Sequence, residues 1–353
     1  GQPEPPGRRG GGSPRLGGGL GDEMLRAGLG DGEVWRVSLG TAEVLGLTEA
    51  PLDVAPTTAY LMLGERCAAN CAFCSQARGS HTRANMLSRV IWPPFKASHV
   101  ADACAAAFSR GEIGRACFQV TVGRGMVEHT IAAVREVASR SRVPICASVM
   151  PRSLEDVDAL LKAGAERVTI ALDAATEAVY RRVKSGRFER VEALLEAAAE
   201  AHPGHVGTHL IVGLGETERE MVERVQWGLD RGIMVALFAF TPVPGTAMED
   251  VPQSPLDVYR RVQAARWLMA NGHACAEAMG YDEDGRIAHL GLADDELARL
   301  LADGEAFRTA GCPECNRPYY NERPGGPMYN YPRPLTPDEA RSELSALLRS
   351  LAR

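Results

Sequence analysis

The sequence has no long hydrophobic run and no excess of positive charge. None of its apolar stretches approaches the about 20 residues that a membrane-spanning helix needs, and its first residues contain no apolar segment typical of a secretory signal. The 45 acidic residues outnumber the 39 Lys and Arg, which argues against nucleic-acid binding through a general basic surface. We therefore expect a cytoplasmic protein that acts on neither membranes nor nucleic acids.

Apolar segments rich in β-branched residues alternate with stretches of helical periodicity over most of the chain. The apolar segments are "TAYLML", "ACFQVTV", "VPICASVM", "RVTIALD", "VGTHLIVG" and "MVALFAFT". Buried strands joined by crossover helices form parallel sheets. Six such units predict an α/β fold, a partial (β/α)6 TIM-type barrel.

Three regions are expected along the chain. Residues 1–22 form a Gly- and Pro-rich tail that is predicted to be disordered. Residues 23–272 contain the barrel, and residues 273–353 form a less regular C-terminal segment that ends in a helix. That helix begins with a capping pattern in which Thr336 precedes Glu339 by three positions.

Nine cysteines occur in a chain for which no export signal is seen. Disulfides are unlikely in a reducing compartment, so grouped thiols favour metal or redox ligands. The stretch "CAANCAFC" places Cys67, Cys71 and Cys74 at Cx3Cx2C spacing directly after the first predicted barrel strand. Three thiolates can hold three irons of a 4Fe-4S cube and leave the fourth iron open to a cosubstrate. A zinc knuckle with His81 as the fourth ligand is the alternative.

The Cx3Cx2C motif, with Phe73 before its last cysteine, resembles that of the radical S-adenosylmethionine superfamily. The resemblance implies that Cys67, Cys71 and Cys74 ligate a 4Fe-4S cluster whose open iron binds S-adenosylmethionine. Reductive cleavage then yields a 5'-deoxyadenosyl radical that abstracts hydrogen from an unactivated carbon. The resemblance also implies that Phe73 lies near the adenine. It further implies that "IVGLGET" lines the adenine pocket at Gly213 and Gly215.

Within that superfamily, "ALDAATEAVY", "VGTHLIVGLGET" and "ARWLMANG" resemble the biotin synthase branch. This resemblance implies that Asp173 lies beside the cosubstrate ribose and the substrate, as a catalytic and cofactor-binding residue. Lys184 is a candidate for binding the cosubstrate carboxylate, although a solvated turn would also explain it. Cys117 falls near the position of one cysteine that holds the 2Fe-2S cluster of biotin synthases. Gly207 and Cys275 replace another cysteine and an arginine of that cluster, so the cluster is not expected.

A second group of thiols occurs in the C-terminal segment. Cys312 and Cys315 form a CxxC, and Cys275 lies upstream of them. Three thiolates can hold a second 4Fe-4S cluster, with Arg308, Arg317 or Arg323 as a further contact; a small zinc site or a redox pair is the alternative. The remaining cysteines lie in apolar segments and are expected to be buried in the core: Cys104, Cys117 and Cys146. His209 is expected either in the barrel interior or as a satisfied core histidine.

The combination of barrel and C-terminal cysteines is similar to the two-component lipoyl synthases. The resemblance implies a sulfurtransferase that inserts sulfur into octanoyl chains on a carrier protein domain, with the second cluster as sulfur donor. Its partners would be a paralogous radical enzyme and a reductant such as ferredoxin or flavodoxin. The alternatives are biotin synthase-like sulfur insertion, a radical isomerase and, from a different class, an iron-sulfur scaffold or electron carrier.

Overall fold

The computed structural model describes residues 33–322 and 325–352. The tail predicted at residues 1–22 and the residue Arg323 lie outside these ranges, so what is expected of them stays a prediction. None of the helices in the described ranges is long and apolar enough to cross a membrane.

The centre of the fold is one eight-stranded sheet that contains all six predicted barrel strands. Its members are β1 (Val34–Val37), β2 (Thr58–Leu63), β5 (Pro94–Lys96), β6 (Arg115–Val120), β7 (Ile145–Ser148), β8 (Arg167–Thr169), β9 (Val206–Val212) and β10 (Met234–Ala239). Strands β2 and β6 to β10 pair in chain order and are parallel. The antiparallel strands β1 and β5 extend the sheet beyond β2, so that β5 and β10 are its edges. The partial six-unit barrel is thus confirmed.

Helices follow the strands in the alternation that the periodicity predicts. They are α1 (Leu39–Val44), α2 (Ala97–Ser109), α3 (Met126–Ala138), α4 (Leu154–Lys162), α5 (Glu177–Val183), α6 (Phe188–Ala201), α7 (Glu218–Asp230), α8 (Leu256–Ala270), α9 (Asp294–Leu300) and α10 (Pro337–Leu351). Short hairpins are formed by β3 (Met86–Leu87) with β4 (Val90–Ile91) and by β11 (Gly280–Tyr281) with β12 (Ile287–His289). The capping box predicted for Thr336 and Glu339 begins α10.

The two faces of the sheet have different neighbours because side chains alternate along each strand. On β2, Leu61 and Leu63 belong to an apolar cluster with side chains of α2 and α3. Tyr60 and Met62 point to the opposite face, where they cluster with Cys117 and other side chains. The helices therefore cover the outer face of the barrel, and the inner face is left for other parts of the chain.

The C-terminal segment covers part of that inner face. The ring of Tyr320 lies 5.6 Å from the ring of Tyr60 on β2, measured between centroids. The guanidinium carbon of Arg317 lies 3.8 Å from the centroid of the Phe238 ring on β10. The segment thus contacts both the first and the last strand of the parallel array.

Candidate active site

The three-cysteine loop lies at the carboxyl end of β2 and borders a large cavity. Cys67, Cys71, Phe73 and Cys74 all line this cavity, whose volume is about 740 Å³. Arg66 holds the loop in place by donating hydrogen bonds to the carbonyl oxygens of residues 75 and 77. Because the carboxyl ends of barrel strands are where such enzymes bind their substrates, this placement fits a catalytic site.

The three thiols have the properties of available ligands. None of the described cysteines is in a disulfide. Burial raises the pKa of Cys71, and it raises the pKa of Cys74 to about 12. Metal binding overcomes such a shift because a metal ion displaces the thiol proton. The amide of Val122 donates to Cys67 Sγ at 3.2 Å, a contact that also stabilises a thiolate.

His81 does not join the three thiols. Its backbone amide donates to the carbonyl oxygen of Gly245, its side chain is exposed, and it does not line the cavity. Within residues 33–322 and 325–352, no three His, Cys, Asp or Glu side chains are arranged to hold a single metal ion. The arrangement therefore gives no support to the zinc knuckle.

Asp173 and Lys184 form an ion pair in the wall of the same cavity. The Oδ2 and Nζ atoms are 2.7 Å apart, and the side chains are only 12% and 5% exposed. Asp173 has a φ of 64°, which is unusual for a residue other than glycine and is typical of functional sites. Its backbone amide donates a hydrogen bond to the carbonyl oxygen of His209 on β9. Both side chains therefore face the cavity, where contact with a cosubstrate stays a prediction.

Gly213 and Gly215 follow β9, but neither lines the cavity. A Cβ atom on Gly213 would lie 2.3 Å from Ser254 Oγ, and one on Gly215 would lie 2.2 Å from Arg182 Nη2. Both glycines have positive φ, of 102° and 111°. Close packing and backbone conformation thus explain both glycines without a ligand, and adenine contact stays a prediction.

The CxxC of the C-terminal segment faces the inner surface of the sheet. Cys312 and Cys315 line a second, small cavity of about 30 Å³ together with Cys117 and Cys146. The Sγ atoms of Cys312 and Cys146 lie 3.8 Å apart. Cys117 and Cys146 are register partners on β6 and β7. Four of the nine cysteines thus surround one space, which we call the interior thiol pocket.

Cys275 is not part of the interior thiol pocket, so its prediction as the third ligand there is corrected. It precedes a short 3-10 turn at residues 276–278, after α8 has ended. The next amide, of Ala276, donates to Gln226 on α7. Because the chain leaves α8 along the outer layer of helices, nearness in sequence to the CxxC does not become nearness in space.

The sequence predicts that Cys117 and Cys146 are buried in the core, although Cys117 also falls near a cluster-binding position of the biotin synthases. Both are indeed buried, at 9% and 2% exposure, but they face the CxxC instead of apolar helices. Period-two alternation would have found them, because it places them on the same face as each other and opposite to Ala116 and Phe118. Cys104 is buried on the inner side of α2, in the apolar core, as expected.

Polar groups surround the interior thiol pocket. The amide of Arg317 donates to the hydroxyl of Tyr60 at 2.8 Å, and this hydroxyl lies 3.6 Å from Cys315 Sγ. Burial raises the pKa of Tyr60 and of Tyr320 well above the ordinary tyrosine value. The pKa of Cys312 is raised by its contact with Cys146 and by burial, whereas Arg167 acts in the opposite direction. These shifts favour the neutral forms of the two phenols and of the Cys312 thiol.

Two side chains, Gln119 and His209, line both cavities. His209 packs edge-on against Phe238, with ring centroids 5.0 Å apart. Burial lowers the pKa of His209 to about 4, so the imidazole is neutral at neutral pH. A group bound in the large cavity would therefore be separated from the interior thiol pocket only by these two residues and their neighbours.

Comparison with known proteins gives a consistent result. The Radical SAM superfamily matches residues 61–228. The biotin synthase of Desulforudis audaxviator (strain MP104C) is 30% identical over 259 residues, which cover 70% of this chain and 74% of that protein. The chain belongs to the biotin synthase-like branch of the radical S-adenosylmethionine superfamily.

Further proteins that are similar to this radical S-adenosylmethionine protein match it over different shares of their lengths. The biotin synthase of Crocosphaera subtropica (strain ATCC 51142 / BH68) is 28% identical over 265 residues, which cover 71% of this chain and 66% of that protein. Methylornithine synthase PylB has a TM-score of 0.49 at 13% identity, with 71% of this chain and 73% of that chain covered. The hydrogenase maturase HydG from Carboxydothermus hydrogenoformans has a TM-score of 0.48 at 16% identity, and 61% of this chain matches 52% of that chain. This chain thus spans about half the length of that maturase.

Membership in the radical S-adenosylmethionine superfamily implies a 4Fe-4S cluster that binds S-adenosylmethionine. Cys67, Cys71 and Cys74 fit that group, since all three are free thiols in one loop at the wall of a large cavity. Such a cluster, when bound, supplies the electron that cleaves the cosubstrate. Asp173 and Lys184 present one negative and one positive charge to the same space, and they would orient the charged groups of a bound cosubstrate.

Proposed function

We propose that this protein is a sulfurtransferase that inserts sulfur into an unactivated C-H bond of a protein-bound octanoyl chain, as one component of a two-protein lipoyl synthase. The observation that carries the proposal is the interior thiol pocket beside the large cavity. Gln119 and His209 line both spaces, so a carbon activated in the first would lie next to sulfur bound in the second. An auxiliary iron-sulfur cluster in the thiol pocket would be the sulfur donor.

The wall of the large cavity suits a hydrocarbon chain. Much of it is apolar, with contributions from strands, from the loops that follow them and from helices α3 and α6: Met62, Leu87, Val120, Val122, Met126, Val149, Met150 and Leu194. An octanoyl chain has no polar group near its reacting carbons, so burial of its methylene groups would supply most of its binding energy. The cavity at about 740 Å³ is large enough to hold a chain beside the cosubstrate.

In this proposal, the residues that line the two cavities have different roles. Lys184 and Asp173 hold the cosubstrate, and Phe73 packs near its adenine. Gln119 and His209 border the path between the two sites, and the buried, neutral imidazole does not introduce a charge there. The partners required are a reductant such as ferredoxin or flavodoxin, an octanoylated carrier domain and a paralogous radical enzyme.

Biotin synthase-like sulfur insertion is the second candidate, because the sequence similarity to biotin synthases favours it. Position 207 argues against this second candidate, because Gly207 replaces a cysteine that binds the biotin synthase cluster. Gly207 has no thiol, and a Cβ atom there would lie 2.7 Å from Met234 Cε and 3.2 Å from Thr169 Oγ1. The third cysteine ligand of a biotin synthase cluster is therefore missing, and its place is filled by packed side chains.

The test is an anaerobic assay with the reconstituted full chain, a chemical reductant and S-adenosylmethionine. Octanoylated carrier peptide is supplied with and without the paralogue, and dethiobiotin is supplied in a parallel reaction. We expect 5'-deoxyadenosine together with a peptide product that has gained sulfur by mass spectrometry. Cys71→Ala is the control that abolishes both products.

A modified peptide without added sulfur would contradict the proposal. Conversion of dethiobiotin instead of the peptide would favour the second candidate. Absence of cosubstrate cleavage by the intact protein would favour an iron-sulfur scaffold or electron carrier.

A further inference from the structure

The turn that follows α5 bonds to three successive residues of the three-cysteine loop. The amide of Asn70 donates to Ser185 Oγ at 2.7 Å. The amide of Ala72 donates to the carbonyl oxygen of Val183 at 2.7 Å. Between these two residues, the Cys71 thiol accepts a hydrogen bond from the backbone amide of Ser185. The middle of the loop is therefore held by a turn that lies more than a hundred positions away in the chain.

Ser185 takes part in two of these three bonds. Its hydroxyl accepts from residue 70 and its amide donates to residue 71, so the two bonds together fix the Cys71 thiol against the turn. We infer that Ser185 is a positioning residue that holds Cys71 for the 4Fe-4S cluster and thereby raises the reduction potential of that cluster. The inference concerns the loop common to radical S-adenosylmethionine chemistry, so it holds or fails independently of sulfur insertion.

The turn itself, residues 183–186, is fixed from within α5, and we call it the latch turn. Tyr180 is only 1% exposed, and its hydroxyl donates to the carbonyl oxygen of Ser185 at 3.1 Å. The carbonyl oxygen of Tyr180 accepts from the amide of Lys184 at 2.8 Å. Gly186 has a φ of 103°, which lets the chain turn directly after Ser185. The hydroxyl and the amide of Ser185 are thus presented to the loop by a backbone that is held at several points.

Each of the three thiols accepts a hydrogen bond from a backbone amide, and these amides come from different parts of the chain. Val122, which follows β6, donates to Cys67 Sγ at 3.2 Å. Gln76 donates to Cys74 from the end of the same loop. Ser185 supplies the third amide from the latch turn. Amide donors stabilise negative charge on sulfur, and reduction adds negative charge, so such bonds raise the reduction potential of an iron-sulfur centre.

The latch turn also borders the region where the cosubstrate is proposed to bind. Ser185 lines the large cavity, and the residue before it, Lys184, pairs with Asp173 at 2.7 Å. Ser185 therefore lies between a charge pair in the cavity wall and the thiol of Cys71. Direct contact of the Ser185 hydroxyl with the cosubstrate is the alternative role, and the two roles change different measured quantities.

The test compares Ser185→Ala and Ser185→Thr with the unaltered full chain after anaerobic reconstitution. Alanine removes the acceptor of the Asn70 amide, whereas threonine keeps a hydroxyl there. Redox titration followed by electron paramagnetic resonance measures the midpoint potential, and the signal that changes on later addition of S-adenosylmethionine identifies the cluster of this loop. We expect reduction to be at least about threefold less favourable in Ser185→Ala, or ~28 mV at ~59 mV per tenfold change for one electron. Ser185→Thr should restore the potential.

Cluster loss under excess chelator is the second measurement. The signal that responds to S-adenosylmethionine should disappear about tenfold faster in Ser185→Ala, the lower end of the effect of losing an outer-shell partner. Ser80→Ala is the matched control, because Ser80 Oγ donates to the carbonyl oxygen of Gly245 at 3.1 Å, beyond the last cysteine of the loop. Its potential and its rate of cluster loss should equal those of the unaltered chain.

An unchanged potential in Ser185→Ala overturns the inference, and so do equal shifts in Ser185→Ala and Ser80→Ala. A higher Kd for S-adenosylmethionine with an unchanged potential would assign the hydroxyl to the cosubstrate instead. If Ser185→Ala fails to fold, Tyr180→Phe decides, because it frees the carbonyl oxygen of Ser185 without altering the three-cysteine loop. A lower potential in Tyr180→Phe supports the inference, and an unchanged one overturns it.

Discussion

The Sγ atoms of Cys146 and Cys312 lie 3.8 Å apart although 166 positions separate these residues in the chain. Cys146 belongs to a barrel strand and Cys312 to the C-terminal loop. Their contact joins the parallel sheet to the C-terminal segment that covers part of its inner face. Four predictions follow from this region and from the cavity beside it.

Replacing Lys184 by Met should weaken cosubstrate binding. The substitution leaves Asp173 buried without its partner, which is expected to lower the free energy of unfolding by about 3 kcal/mol. The loss of the cation should also raise the Kd for S-adenosylmethionine at least about tenfold, or ~1.4 kcal/mol. Equilibrium dialysis under anaerobic conditions measures the Kd, and chemical denaturation measures the stability.

A double variant separates the two effects of Lys184. Adding Asp173→Asn to Lys184→Met removes the unpaired charge, so stability should partly return while binding stays weak. Arg187→Met is the matched control, because Arg187 is an exposed cation at the same cavity. Unchanged cosubstrate affinity in Lys184→Met would show that Lys184 is a structural partner of Asp173 only.

Replacing Glu343 by Gln should loosen the C-terminal segment. Glu343 accepts hydrogen bonds from Arg260 at 2.7 and 2.9 Å and from the hydroxyl of Tyr331 at 2.9 Å. Burial acts to raise the pKa of Glu343, but Arg260 and Tyr331 together lower it, so the carboxylate is charged at neutral pH. Breaking this buried pair should cost about 3 kcal/mol. Reconstituted protein should then lose auxiliary-cluster iron before it loses the first cluster.

Glu339→Gln on the same helix is the control for that experiment. Glu339 pairs with Arg333 at the surface, where such pairs contribute less than about 1 kcal/mol, and glutamine can keep the capping box. If both variants lose iron equally, the Arg260 pair does not hold the segment in place.

Replacing Gly215 by Ala should destabilise the protein without affecting cosubstrate binding. The φ of 111° and the contact of a Cβ atom with Arg182 both oppose a side chain there. We expect the free energy of unfolding to fall by about 1 to 3 kcal/mol. The Kd for S-adenosylmethionine should stay within about twofold, because Gly215 does not line the cavity.

Gly204→Ala is a matched control for strain alone, since Gly204 has a φ of 80° and no atom within 4 Å of an added Cβ. A fall in cosubstrate affinity for Gly215→Ala without a fall in stability would support the adenine contact that the sequence resemblance implies.

His209 should make stability depend on pH. Its pKa in the folded protein is about 4, below the ordinary value of 6.5, so the unfolded chain binds a proton between these values that the folded chain does not. Stability should therefore fall as the pH falls from 6.5 towards 4, by about 1 kcal/mol per pH unit. Urea denaturation of the wild type and of His209→Gln at several pH values measures this contribution by difference.

His205→Gln is the control, because His205 is exposed and immediately precedes the same strand. If the wild type and His209→Gln lose stability in parallel over this range, the imidazole of His209 is protonated in the folded protein.

Much of the barrel was predictable because its signals are local. Period-two and 3.6-residue patterns identified all six parallel strands, and the capping box located the start of α10. The Cx3Cx2C spacing confines three thiols to one loop, so their common location needed no tertiary information. The functions assigned to Gly213 and Gly215 were less secure, because positive φ and close packing select glycine just as a ligand would.

The sequence by itself determined the partial barrel, the three-thiol loop at its open end and the existence of a CxxC beyond it. Only the tertiary structure decided which thiols meet that CxxC. Cys275 is nearer in sequence, but the path of the chain takes it to the outer helices, whereas Cys117 and Cys146 face inward beneath the loop. That path depends on contacts between distant residues, such as the pairing of Arg260 with Glu343 and the hydrogen bonds of Thr57 and Thr58 to Glu314. No local pattern encodes such contacts, because they form only when the sheet and the C-terminal segment are both in place.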